Sequence, residues 1–270
     1  MKIGVIDSGI GGITTLREVM KSASADYYYF LDEGNLPYSK KSNEELFDIS
    51  KSIIDKLSIL GIDLVVIACN TLTSAAAAKL RKTNSIPIIG IEPALKPALK
   101  NCKRVVTLAT SATLCGDKYI KLKSGATDTD VVDVNGDGLQ ERIERGDISE
   151  AERYLDELLK NTGDIDGIVL GCTHYVYLKD HIEALGVRTF DGNAGVARRV
   201  KNIAKDLEHC SDTIESGDMS VESKNDESKS SLKNRLVKSN CKKSRVFIHS
   251  TGKLPLESIS KYLKACVFLW

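Results

Sequence analysis

The sequence predicts an α/β protein: two similar, mostly parallel sheets flanked by helices, with the active site in the cleft between the two domains. Three observations predict it. Short apolar runs alternate with longer amphipathic stretches, the pattern of parallel sheets covered by helices on both faces. The run Val65-Val66-Ile67-Ala68-Cys69-Asn70-Thr71 is echoed by Ile168-Val169-Leu170-Gly171-Cys172-Thr173-His174. Each is an apolar strand, a small residue, a cysteine and two hydrogen-bonding residues, so two equivalent halves are implied. Finally, strand and helix character resumes near the C-terminus after a polar stretch, which brings the end of the chain back to complete the first half.

Taken in order, strands are expected at Lys2–Ile6, Tyr27–Leu31, Asp63–Ala68, Ile86–Ile89, Arg104–Leu108, Asp130–Val134, Gly167–Leu170 and Val187–Phe190. Helices are expected at Ile13–Lys21, Asn43–Leu60, Thr73–Lys82, Ala94–Cys102, Ser111–Lys123 and Ser149–Asn161. Asn43-Glu44-Glu45 places a capping residue and two acids at a helix start, where the helix dipole favours them. From about 210 to 244, Ser, Lys, Asp, Glu and Asn dominate. Such a stretch buries too little apolar surface to offset the ordering of its backbone, so it reads as a flexible insert. Arg245–His249 then resumes a strand, and Leu254–Leu263 reads as a closing amphipathic helix. The expected domains are 1–95 plus 205–270, and 96–204.

Composition narrows the class. The 270 residues carry 38 Lys and Arg against 37 Asp and Glu, a net charge of +1, without the basic excess of a nucleic-acid binder. Apolar residues make up 42% and charged residues 28%, as in soluble globular proteins. The N-terminus lacks a basic stretch followed by a roughly 7–15-residue apolar run, so no signal peptide is read. No apolar run approaches the roughly 18 residues of a membrane span. A cytoplasmic protein is expected. Seven cysteines without a C-x-x-C pair disfavour a zinc ribbon, a disulfide framework or a thiol oxidoreductase, and fit free thiols in a reducing compartment. No cluster has metal-ligand spacing, and no cofactor is expected.

The chemistry concentrates at strand ends. Ligands of parallel sheets bind beyond the carboxyl ends of the strands, and both Cys69 and Cys172 belong there. A following helix N-terminus lowers a thiol pKa from its usual value of about 8.5. A single buried cysteine is usually a small hydrophobe; a matched pair flanked by Asn-Thr and Thr-His is a stronger pattern. Cys102, Cys115, Cys210, Cys241 and Cys266 lack such flanks. The first strand ends in Asp7-Ser8-Gly9-Ile10-Gly11-Gly12. Thr14 spoils a dinucleotide fingerprint and Gly-Lys-Ser/Thr is absent, so nucleotide binding is disfavoured. A carboxylate could still rest on Ser8 and backbone N–H groups. His174, two residues from Cys172, can exchange protons with a thiol or substrate, whereas His181, His209 and His249 read as solvated or core-packing. The loop Asp32–Ser42 carries Tyr38 to the same sheet end.

Together, Asp7-Ser8-Gly9-x-Gly11-Gly12, Pro37-Tyr38, Ala68-Cys69-Asn70-Thr71 and Gly171-Cys172-Thr173-His174-Tyr175 resemble the glutamate racemases of the cofactor-independent aspartate/glutamate racemase superfamily. The resemblance continues through Ile91-Glu92-Pro93, Ala109-Thr110-Ser111-Ala112-Thr113, Asp191-Gly192-x-Ala194 and His249-Ser250-Thr251-Gly252. It implies racemisation of glutamate by two opposed cysteines without pyridoxal phosphate, supplying D-glutamate for peptidoglycan, in a homodimer. Cys69 matches the thiol that deprotonates the D-enantiomer, and Cys172 the one that deprotonates the L-enantiomer. Asp7 and His174 match their respective acid–base neighbours, with Glu144 a looser match to a further carboxylate. Ser8, Pro37, Tyr38, Ser39, Asn70, Thr71, Thr110, Thr113 and Thr173 fall at substrate-holding positions. Ser39 and Val176 depart from the usual glycine and proline, and a serine would strain the loop if its position needs φ > 0. Aspartate or another amino acid as substrate, or a regulatory amino-acid-binding protein, are the competing expectations.

Overall fold

Residues 1–214, 235–237 and 244–251 are described by the structure, a computed structural model, with backbone alone for 208–214 and 235–237. The first sheet is built around β1 (Lys2–Asp7), whose every residue after Lys2 is buried. β1 lies between β2 (Asp26–Leu31) and β3 (Leu64–Ile67), and β4 (Ile88–Gly90) extends the β3 side. β10 (Arg245–Ser250) joins parallel to β2, so the returning chain completes this sheet. β9 (Arg235–Val237) pairs antiparallel with β10 at the edge. The second sheet runs β6 (Asp130–Asn135), β5 (Arg104–Ala109), β7 (Gly167–Leu170), β8 (Arg188–Asp191), all parallel.

Alternation along β1 decides which helices lie where. Ile3 and Val5 face α1 (Gly12–Ser22) and α10 (Asn193–Ile214) through Ile13, Leu16, Val19, Val196 and Val200. Ile6 faces α2 (Asn43–Ile59) and α3 (Asn70–Thr83) through Leu46, Ile53, Leu57, Leu72 and Leu80. Helical spacing puts those residues on one side of each helix. The Ile3–Val5 cluster continues into the second sheet through Val106, Leu108, Ile168 and Leu170, so one apolar core spans both sheets. Truncating a fully buried member such as Leu16 to Ala should cost about 2–5 kcal/mol. On the far side of the second sheet, Val105 and Val169 pack on α4 (Leu95–Asn101) and on Tyr119 of α6 (Asp117–Ser124).

The eight strands expected before the insert and the one after it are present within a residue or two at each end. Other elements differ. The helix expected over Ser111–Lys123 is two, α5 (Ser111–Leu114) and α6, because Gly116 is extended (ψ 131) where Ser74 of α3 crosses it. A Cβ on Gly116 would lie 2.0 Å from Ser74 Oγ. Helix α3 starts three residues before the expected Thr73, because Cys69 itself caps it. Unanticipated helices are α7 (Leu139–Glu144), α9 (Lys179–Ala184) and α10; α8 (Ile148–Leu159) was expected. The polar stretch expected as an insert over 210–244 is helical to Ile214, and its Arg235–Val237 is a strand supplied with partners by the open edge of β10. The remainder of that stretch, the closing helix expected at 254–263, Cys241, Cys266 and the side chains of His209 and Cys210 lie outside the described residues. Among the described residues no helix is long and apolar enough to cross a membrane.

Candidate active site

Both sheets present their carboxyl ends to one region. Parallel register sets Ile6 of β1 beside Ile67 of β3, so Asp7 and Ser8 emerge alongside Ala68 and Cys69. In the second sheet Leu170 pairs with Leu108, so Cys172 leaves β7 beside the Thr110–Thr113 turn that follows β5. Cys69 and Cys172 are both free thiols, 6% and 8% exposed.

The two thiols have different surroundings. Cys69 caps α3: its Sγ accepts the Leu72 N–H at 3.4 Å, and Ser8 Oγ stands 4.0 Å away. Burial pushes the Cys69 thiol well above its ordinary range, the nearby Asp7 charge pushes it further, and the Leu72 amide only partly opposes them. The activation expected from a helix N-terminus is therefore outweighed at Cys69 by burial. Cys172 does not open an α-helix at all; it precedes a 3₁₀ segment, Thr173–Leu178, and makes no cap through its side chain. Its neighbour is His174, with Nδ1 3.6 Å from Sγ.

His174 is one link of a relay. Its Nε2 is 2.6 Å from Glu144 Oε1, and the same oxygen accepts the Ile10 N–H at 2.7 Å. Burial works against a charged imidazole, but the hydrogen bonds and negative charge of Cys172 and Glu144 win and hold His174 well above its usual range. Asp7, fully buried, is lifted from 3.8 to about 6 by burial, against the pull of His174 and the Ser8 amide. It accepts the Ser8 N–H at 2.8 Å and Thr173 Oγ1 at 3.3 Å, linking the first half of the site to the second.

The glycines of the first loop serve this close approach. A Cβ at Gly9 would lie 1.6 Å from Glu144 Oε1, and one at Gly11 would lie 2.7 Å from the His174 backbone nitrogen. Around the thiols stand hydroxyls: Thr71 Oγ1 meets Thr110 Oγ1 at 3.0 Å, and Thr110 donates to Thr113 Oγ1 at 3.1 Å. The Oδ1 of buried Asn70 has no hydrogen-bond partner. A buried, unpartnered amide oxygen at the start of α3 suits a ligand that supplies the missing donor.

The Pro37-Tyr38-Ser39 loop, entered through a cis Leu36–Pro37 bond, sits at the same end. Tyr38 is buried, but its hydroxyl is committed to Asp32 Oδ2 at 2.7 Å; burial, then the Asp32 charge, holds the phenol protonated. Asp32 also accepts from Asn35 Nδ2 and Thr251 Oγ1, tying this loop to the end of β10. No described non-glycine residue has a positive φ, so Ser39 sits without backbone strain. Ser39 Oγ instead meets Gln140 Nε2 of α7 at 3.4 Å. His249 is a β10 residue tilted against Phe30, 4.5 Å between ring centres, and His181 pairs with Asp156 on the second half.

Asp7, Ser8, Cys69, Cys172, Thr173, His174 and Glu144 thus form one connected set. Asp32 and Gln140 were missed by the motifs. Asp32-Glu33-Gly34-Asn35 is a turn-forming run that could have drawn attention to Asp32; Gln140 gives no sequence signal.

Two parallel sheets that converge on a pair of buried thiols, one beside a carboxylate and the other beside a charged imidazole, define an α/β protein built to move protons. The chain belongs to the Asp/Glu/hydantoin racemase family, whose description matches residues 3–200. It is 40% identical over 210 residues to a glutamate racemase of Leptospira interrogans, covering 75% of this chain and 82% of that one. Among solved structures, a glutamate racemase from Thermus thermophilus in complex with β-chloro-D-alanine superposes with a TM-score of 0.71 at 26% identity, covering 97% of this chain and 92% of that one. One from Escherichia coli, in complex with L-glutamate and the activator UDP-MurNAc-Ala, gives 0.67 at 28% identity over 77% and 82%.

Proposed function

We propose that this chain interconverts L- and D-glutamate, with Cys69 and Cys172 acting on opposite faces of the α-carbon. The observation that carries it is the pair of buried thiols at equivalent strand ends, each touching its own proton relay: Ser8 and Asp7 for Cys69, His174 and Glu144 for Cys172. Family membership and the relatives named glutamate racemase support glutamate as substrate.

A single base returns a proton to the face it left; two opposed thiols invert the centre. With L-glutamate, the Cys172 thiolate takes the α-proton and the Cys69 thiol, kept neutral by burial, delivers one to the other face. The D-enantiomer needs the reverse assignment: Asp7, lifted to about 6, accepts the Cys69 proton, and His174 gives one to Cys172. Ser8, Asn70, Thr71, Thr110, Thr113 and Thr173 supply hydroxyl and amide donors for the substrate carboxylates and the developing carbanion. Pro37, Tyr38 and Ser39 form the wall beside them. Balanced net charge agrees with a small dianion held by such donors.

In this reading each sheet with its helices is one domain, 1–95 plus 205–270 and 96–204, and the site lies between them. The enzyme acts in the cytoplasm as a homodimer and supplies D-glutamate for peptidoglycan. The test incubates purified protein with L- or D-glutamate, and separately with aspartate, in D2O and follows Cα deuteration and optical rotation. Inversion of glutamate with deuterium incorporation is expected. Exchange with aspartate but not glutamate would move the substrate assignment, and binding without exchange would leave a regulator.

A further inference from the structure

Helix α7 has two polar residues one turn apart, Gln140 and Glu144, which therefore share a face. Both reach out of the second half of the site to loops of the first. Glu144 accepts the Ile10 N–H of the glycine loop at 2.7 Å. Gln140 lies 3.4 Å from Ser39 Oγ, in the Pro37-Tyr38-Ser39 loop. Gln140 is 5% exposed, and the other end of its amide meets Tyr175 OH at 3.4 Å; Tyr175 follows His174 directly. Either orientation of the amide keeps a bond to Ser39, because a hydroxyl both donates and accepts.

We infer that Gln140 is a positioning residue that holds the Ser39 loop against the helix carrying Glu144, so that the substrate wall and the His174 relay are set by one short element. The inference rests on the glutamate racemase reading for its kinetic consequence. A buried amide that reaches a half-exposed serine on the other half of the molecule has no part in any of the three apolar clusters. At 3.4 Å the contact is long for a hydrogen bond, so it biases the loop without locking it. Its loss should weaken substrate capture more than chemistry. The effect should not extend to Cys69 or His174, which keep all their own contacts.

The experiment compares wild type, Q140L, S39A and the double variant. Q140L and S39A should each raise KM for glutamate about three- to tenfold with kcat within about twofold, and the double variant should be no worse than the worse single one. Without substrate, the Lys40 and Lys41 amides, which bond back to Pro37 and Tyr38, should exchange with D2O several-fold faster in both single variants while β3 amides are unchanged. Unchanged KM and unchanged exchange, or KM effects that multiply in the double variant, overturn the inference. Should Q140L not fold, Q140A is judged by the same two readouts, because Ser39 itself lines the substrate wall. A wild type that exchanges no glutamate α-proton refutes the substrate reading instead, and the amide exchange then still judges Gln140.

Discussion

Glu144 Oε1 lies 2.6 Å from His174 Nε2, and through that contact a carboxylate on α7 helps hold a charged imidazole beside Cys172. Glu144→Gln keeps the size and the acceptor for Ile10 but removes the charge. His174 then loses one of the supports that hold it above its usual range. The pH above which the imidazolium is lost should fall, so the alkaline limb of kcat/KM moves to lower pH in the variant. At neutral pH kcat should drop about 10–100-fold, the scale of a weakened acid–base partner. Unaltered pH profiles in the two proteins would disconnect Glu144 from the relay.

Asp7 carries a stability prediction of opposite sign to most buried acids. Its folded pKa, about 6, exceeds the ordinary 3.8, because burial disfavours the carboxylate. The folded state therefore binds the extra proton between those values, and stability is lost as pH rises through about 6. Asp7→Asn removes that loss and keeps an acceptor for the Ser8 N–H. The variant should be more stable than wild type at pH 8, by roughly 1–3 kcal/mol, with the gap closing below pH 4. It should also be slower, since Asp7 neighbours Cys69. Thermal unfolding across that range measures the first and racemisation the second.

The unlike surroundings of the thiols predict unlike residual activities. Cys69→Ser and Cys172→Ser should each lose racemisation by at least about 10³-fold, since an alcohol is a poor base at neutral pH. Each variant retains the other thiol on one face. Cys69→Ser should still exchange the α-proton of L-glutamate with D2O without inverting it, and Cys172→Ser should do so with D-glutamate. A proton NMR time course on each enantiomer separates exchange from inversion. Full turnover in either variant contradicts the two-base scheme.

The strands were legible because burial on both faces leaves a continuous apolar run, as in Val65–Ala68 and Gly167–Leu170, with no competing pattern. The thiols were legible because strand-end cysteines recur with the same flanks. Their chemistry was less so: the Asn-Thr and Thr-His flanks look equivalent, yet one opens an α-helix and the other a 3₁₀ segment. Short helix α7 escaped notice because its six residues span under two turns, too few for a periodic signal. It brings Glu144 and Gln140 to the site from 30 and 101 residues away from their partners His174 and Ser39. The break at Gly116 has the same origin, a close approach by a distant helix that no local window contains.

Gly9 offers a test of how tightly the two halves must meet. A methyl group there would fall 1.6 Å from Glu144 Oε1 and 2.9 Å from His174 Nε2. Both atoms belong to the relay, so the side chain cannot be accommodated without moving Glu144 off His174 or opening the glycine loop. Gly9→Ala should therefore cost about 1–3 kcal/mol of stability through overpacking. Its kcat should fall at least as far as that of Glu144→Gln, since it displaces the carboxylate and the Ile10 amide together. Gly195 in α10 is the control, with nothing within 4 Å of an added Cβ. Gly195→Ala should leave kcat unchanged and raise stability by up to about 1 kcal/mol, the helix preference of alanine over glycine. Thermal melts and racemisation rates of the two variants, measured side by side, decide it: equal activities would mean that the two halves need not close on Gly9.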